Sequence, residues 1–198
     1  MVVTDQLNTA DEDLISFNLG PITVPTQVVF PPPGPSDFTT TVGLRPANDI
    51  LVAISTHLDT STGLLTVTFQ SLDPKTHQPP TNPSAGSLPP GTGGRVFFTL
   101  NPKQGLETNT QVENQATVVF DVHPAIKTPI WLNTLDNTAP TSHVLALPST
   151  EAKISFTVSW SGTDVGAGVQ DFTIYASDNG APFTVWQQNT TATSATFT

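Results

Sequence analysis

The chain has 198 residues, 16 acidic and six basic, for a net charge of −10, and it contains no cysteine. So few Glu, Lys and Arg argue against a helical bundle, the acidic balance argues against phosphate-driven nucleic-acid binding, and the missing thiols exclude a disulfide scaffold, a CxxC redox pair and a thiolate metal site. No apolar run approaches the roughly 18 residues of a membrane-spanning helix.

The chain opens with Met1-Val2-Val3-Thr4-Asp5. This stretch lacks the basic and apolar regions of a signal peptide. It reads as the middle of a strand, which suggests a piece of a longer chain. Asp11-Glu12-Asp13 reads as a solvated acidic turn. Pro31-Pro32-Pro33-Gly34-Pro35 cannot pair inside a sheet, because proline lacks the N–H, and reads as an extended connection. Leu65, Val67 and Phe69 then alternate with Thr66 and Thr68. Residues 73–94 are rich in Pro and Gly and show no periodicity, so they form a long surface loop. Beyond it, Val96, Phe98 and Leu100 share one face, and Val118, Phe120 and Val122 another.

The clearest alternation is Ile154-Ser155-Phe156-Thr157-Val158-Ser159-Trp160, with apolar and hydroxyl residues on opposite faces. That is the pattern of a half-buried antiparallel strand. Phe172, Ile174 and Ala176 oppose Thr173, Tyr175 and Ser177, and Asn179-Gly180 follows as a hairpin signal. Thr is in excess, at 33 residues, and its β-branched side chain suits the exposed face of a pleated strand. The predicted fold is therefore all-β, with two antiparallel sandwiches in tandem. Residues 1–136 form a sandwich of about eight strands, 137–140 are a linker, and 141–198 form a second, incomplete sandwich.

Asn114-Gln115-Ala116, Val119-Phe120-Asp121 and Asn133-Thr134-Leu135-Asp136 resemble the end of a repeat-type β-sandwich of unassigned function found in large bacterial secreted and cell-surface proteins. Asp136-Asn137-Thr138-Ala139-Pro140-Thr141 resembles the linker that opens many bacterial Ig-like domains. Val158-Ser159-Trp160-Ser161-Gly162-Thr163-Asp164, with Gly166, Gly168 and Tyr175-Ala176-Ser177-Asp178-Asn179-Gly180, resembles a fibronectin type III or Ig-like module. The resemblance is clearest over 110–198. It departs from the pattern at His123, where Asn is expected, and at Ala167, where Ser is usual. It implies an extracellular or surface location, neighbouring domains of the same chain as partners, and a structural role.

No Gly-x-Ser-x-Gly elbow and no His-Glu-x-x-His motif occurs in the sequence, and the reading is non-catalytic. His57-Leu58-Asp59 and Asp121-Val122-His123 each place an acid and an imidazole on one strand face. Calcium needs several oxygen ligands on flexible loops. Asp136 and Asn137 in the linker, and Asp164 beside Gly166-Ala167-Gly168, concentrate them. The resemblance implies that such positions hold calcium between domains; the competing reading is that the acids cap turns. For glycans, the candidate platform is Trp186, which is out of register with Phe183 and Val185 and is expected to face outward, whereas Trp160 belongs to the core.

Overall fold

The computed structural model describes residues 1–34, 36–46, 49–82, 86 and 93–198. Much of the expected loop 73–94 therefore lies outside the described residues. The described chain carries no helix, and its strands form antiparallel sheets. Two compact units emerge: Met1–Leu106 with Gln111–Asn133, and Glu107–Thr110 with Thr134–Thr198. The second unit thus recruits a short segment from well before the expected linker. Asn109 N–H donates to Leu135 O at 2.8 Å, and Leu135 N–H donates to Thr110 O at 2.9 Å.

The strands of the first unit are β1 (Val2–Gln6), β2 (Glu12–Val24), β3 (Gln27–Val29), β4 (Asp37–Gly43), β5 (Leu51–Asp59), β6 (Leu64–Leu72), β7 (Arg95–Pro102), β8 (Gln111–Asn114), β9 (Ala116–Val119), β10 (Ile126–Lys127) and β11 (Trp131–Thr134). A six-stranded sheet runs in the order β10-β9-β1-β6-β5-β4, and a smaller sheet in the order β3-β2-β7. β8 and β11 form a separate pair.

Period-2 alternation decides which residues go inward. In β5, Val52, Ile54 and Leu58 are buried; in β6, Leu65, Val67 and Phe69 are. The small sheet answers with Phe17, Leu19, Ile22 and Val24 of β2, and Phe17 stacks on Phe98 with ring centroids 5.5 Å apart. Val96, Phe98 and Leu100 pack on this core from one face of β7. The outer face of the large sheet carries the Thr excess. Asp37, His57, Thr66, Thr4, Thr117 and Lys127 lie opposite one another in a single row across six strands. Met1-Val2-Val3-Thr4-Asp5 enters a strand held on both sides, by β6 and by β9.

Three local expectations fail for identifiable reasons. Glu12 is buried rather than solvated, because it opens β2 and its Oε2 accepts the Asn8 N–H at 2.6 Å. Val122 is 96% exposed, because the strand ends at Val119 and Asp121 turns the chain at φ 48°. Ile154 is 97% exposed, because its strand begins only at Phe156.

The second unit contains β12 (Thr141–Val144), β13 (Phe156–Thr163), β14 (Phe172–Ala176), β15 (Thr184–Thr190) and β16 (Ser194–Phe197). They form a sheet β12-β13-β16 and a hairpin pair β14-β15. Its fully buried apolar side chains are Val158 and Trp160. Aromatic rings complete the packing. Trp160 meets Phe172 at 6.5 Å and Trp186 at 6.1 Å, both edge-on, and Trp186 meets Phe197 at 5.2 Å. Edge-to-face pairs at these distances favour the ring quadrupoles and bury large areas per residue.

Candidate functional site

The calcium candidates lie in the second unit, and two of the three come together. Asp136 lies between β11 and β12, and its carboxylate reaches the turn that follows β13. Its Oδ2 accepts the Ala167 N–H at 2.9 Å and its Oδ1 accepts the Thr138 N–H at 3.1 Å. Asp164 Oδ2 accepts the Gly168 N–H at 3.0 Å. Gly166 makes this approach possible. It holds φ +141°, and a Cβ there would stand 2.6 Å from the Asp136 Cγ. The hydrogen bonds from Ala167 and Thr138 hold the Asp136 carboxyl below the usual carboxylate range, since they favour its charged form. Asn137 turns to other work: its N–H donates to Thr108 Oγ1 at 2.9 Å.

Calcium takes six to eight oxygen ligands. Three of the four carboxylate oxygens of Asp136 and Asp164 already accept backbone N–H groups. Asp164 Oδ1 is the fourth; it is buried without a hydrogen-bond partner. No group of three or more His, Cys, Asp or Glu side chains converges among the described residues. The arrangement works as a latch in which two carboxylates cap a glycine-rich turn.

Trp186 does not face outward. It is half-buried between Trp160 and Phe197, while its neighbour Val185 is 50% exposed and Phe183 73% exposed. Phe183 and Val185 take the exposed face, so a residue out of register with them falls on the sheltered one. The most exposed tryptophan is Trp131 of β11, at 69%, beside Ile130 and Leu132.

The expected His–Asp pairs also rearrange. His57 Nδ1 lies 2.5 Å from Asp37 Oδ1, across the β4–β5 ladder. That hydrogen bond holds the Asp37 carboxyl below its ordinary value. Asp59 instead caps its own hairpin turn. Its carboxylate accepts from the Ser61 hydroxyl at 2.6 Å, the Thr62 hydroxyl at 2.8 Å and the Ser61 N–H at 2.9 Å, which pull its pKa down to about 2. His123 N–H closes a turn on Phe120 O at 2.8 Å.

Sequence reasoning passed over Asp5. It lies on β1 between Val3 and Leu7, on the inward face, and is 5% exposed. Its Oδ2 accepts from Asn114 Nδ2 at 2.9 Å, and its Oδ1 is buried without a partner. Burial pushes its carboxyl up. The available signal was an acid at a core position of an alternating strand.

Comparison of the chain with protein-family models, with curated proteins and with solved structures found no match.

Proposed function

We propose that the two units are non-catalytic spacer modules of a large secreted or surface-anchored bacterial protein, the second of them fibronectin type III- or Ig-like. One observation carries the reading: the short segment that opens the second unit is tied down over its length. Asp136 is latched to Ala167, Thr138 N–H returns to Asp136, and Asn137 N–H is held by Thr108. A spacer needs such a stiffened module entry, because freely hinged links shorten a chain of modules. The Thr-lined outer face of the large sheet, polar and rich in hydroxyl groups, suits an extracellular stalk. Neighbouring domains of the same chain are then its partners. The test is replacement within the parent protein. Two unrelated β-sandwich modules of equal length should restore its function, and failure of every such replacement would refute the spacer reading.

The second reading is an adhesive or carbohydrate-binding accessory module, with calcium stiffening Asp136 and Asp164. Exposed Trp131 with Ile130 and Leu132 favours it. Saturable glycan retention lost in Trp131→Ala, or a calorimetric calcium signal lost in Asp164→Asn, would replace the spacer assignment with this one.

A further inference from the structure

The first unit holds a cleft of about 380 Å³ between β1, β6 and β9 of the large sheet and β7, the last strand of the small one. Three strands of the small sheet stand against six of the large one, and the cleft lies on the β1–β9 side of the large sheet. The volume falls within the range of small-molecule sites, and the lining has their composition: an apolar wall with few, placed polar groups. Val3, Val67, Phe98, Val118 and Phe120 supply the wall. Asp5 supplies the polar group, 95% enclosed by its 5% exposure and with Oδ1 unpartnered. A buried acceptor without a donor carries the full desolvation penalty, so a ligand that brings a donor gains more than its apolar contact.

We propose that this cleft binds a small primary alkyl- or arylammonium ion, its apolar body against Val3, Val118 and Phe98 and its ammonium on Asp5 Oδ1. Charge selects the cation over a neutral alcohol. Asn114 donates the other hydrogen bond to Asp5 and is uncharged, so the carboxylate has no counter-ion there. Glu12, buried in the same unit, is a second acid and brings Asp5 no positive charge. Of the cationic residues lining the cleft among the described residues, Arg95 is exposed and the Met1 ammonium donates to Phe69 O at 3.0 Å, and Asp5 Oδ1 stays without a partner. An ammonium brings both the missing donor and the missing positive charge, and such charge-assisted bonds are about twice as strong as neutral ones.

The test is a titration of the 15N-labelled chain with n-hexylammonium chloride near neutral pH, with 1-hexanol and hexanoate as controls. Hexylammonium should give saturable amide shifts at Val3, Ala116 and Val118 in the millimolar range. The alcohol should bind at least tenfold more weakly and the carboxylate not at all. Asp5→Asn keeps the shape and removes the charge, and should cut hexylammonium affinity to that of hexanol. Val118→Trp keeps Asp5 and fills the cleft, so it should abolish binding with the fold intact by circular dichroism; it decides the matter if Asp5→Asn does not fold. The proposal is overturned if no saturable shifts appear at these amides, if hexanol or hexanoate binds as tightly, or if binding survives in a folded Asp5→Asn or Val118→Trp variant.

Discussion

The two units use the same alternation and reach different cores. In the first, thirteen apolar side chains are buried among the described residues, most of them drawn from the two sheets. In the second, Val158 and Trp160 are buried, and all four residues of β12 are exposed. Alternation only offers one face of a strand. Burial requires a second layer opposite, and β2 with β7 provides it for β5 and β6, whereas β14 and β15 provide little for β12. The second unit compensates with ring size: four aromatic contacts connect Phe156, Trp160, Phe172, Trp186 and Phe197. The first core is therefore shared among many residues, and the second is concentrated in a few.

The sharpest way to break this contrast is to truncate each core once. Trp160→Ala should cost the second unit about 3–5 kcal/mol and Ile54→Ala should cost the first about 2–5 kcal/mol. The same loss falls on unequal reserves. Urea unfolding followed by tryptophan fluorescence, in a Trp131→Phe background so that Trp186 is the one reporter, should show no folded second unit in Trp160→Ala. Far-UV circular dichroism should retain the transition of the first. A single coincident transition in which both units shift together would show that the cores are not independent.

A smaller effect tests the latch. Gly166→Ala would put a Cβ into the Asp136 carboxylate and force φ +141° on a residue that disfavours it. The strain is worth about 1–3 kcal/mol. The midpoint of the second unit alone should fall. Asp136→Ala in that background should then add little, because the carboxylate and the glycine turn act as one device. Full additivity of the two changes would separate them.

The strand faces were legible in the sequence where a partner layer exists. Leu65, Val67 and Phe69 alternate and are buried as the pattern requires, because they share a core with Phe17, Leu19, Ile22 and Val24 of β2. Phe172, Ile174 and Ala176 likewise take the sheltered face. Asn179-Gly180 marks the β14–β15 hairpin, with φ 53° and 76°, although the loop runs through residues 177–183. What stayed hidden depends on contacts distant in sequence. Glu107–Thr110 joins the second unit through hydrogen bonds to Leu135, about 25 residues on. Trp186 turns inward because Trp160 and Phe197 cover the face opposite Val185, and alternation within β15 does not say which face is covered. The Asp136–Asp164 turn was visible as a concentration of oxygen ligands. That backbone N–H groups take those oxygens follows only from the fold of the turn around Gly166.

The smallest effect is a difference in the sign of pH dependence. In the second unit, Asp136 is held below its ordinary value, so its contribution is fully present above the unfolded carboxylate range near about 3.9 and is lost as the pH falls through the folded value. In the first unit, Asp59 at about 2, with Asp37 and Asp73 also lowered, behaves the same way. Asp5 and Glu12 act oppositely, because burial raises both. Folded, they hold protons more tightly than unfolded, so the penalty they carry when ionised at neutral pH lifts as the pH falls through their raised values. Calorimetry at stepped pH should therefore show the transition of the first unit rising in mild acid while that of the second stays level, and both falling below about pH 4. Asp5→Asn should raise the first transition at neutral pH and flatten its rise in mild acid. Parallel pH profiles for the two units, unchanged by Asp5→Asn, would mean that the buried acids of the first core carry no such penalty, and would remove the electrostatic half of the contrast.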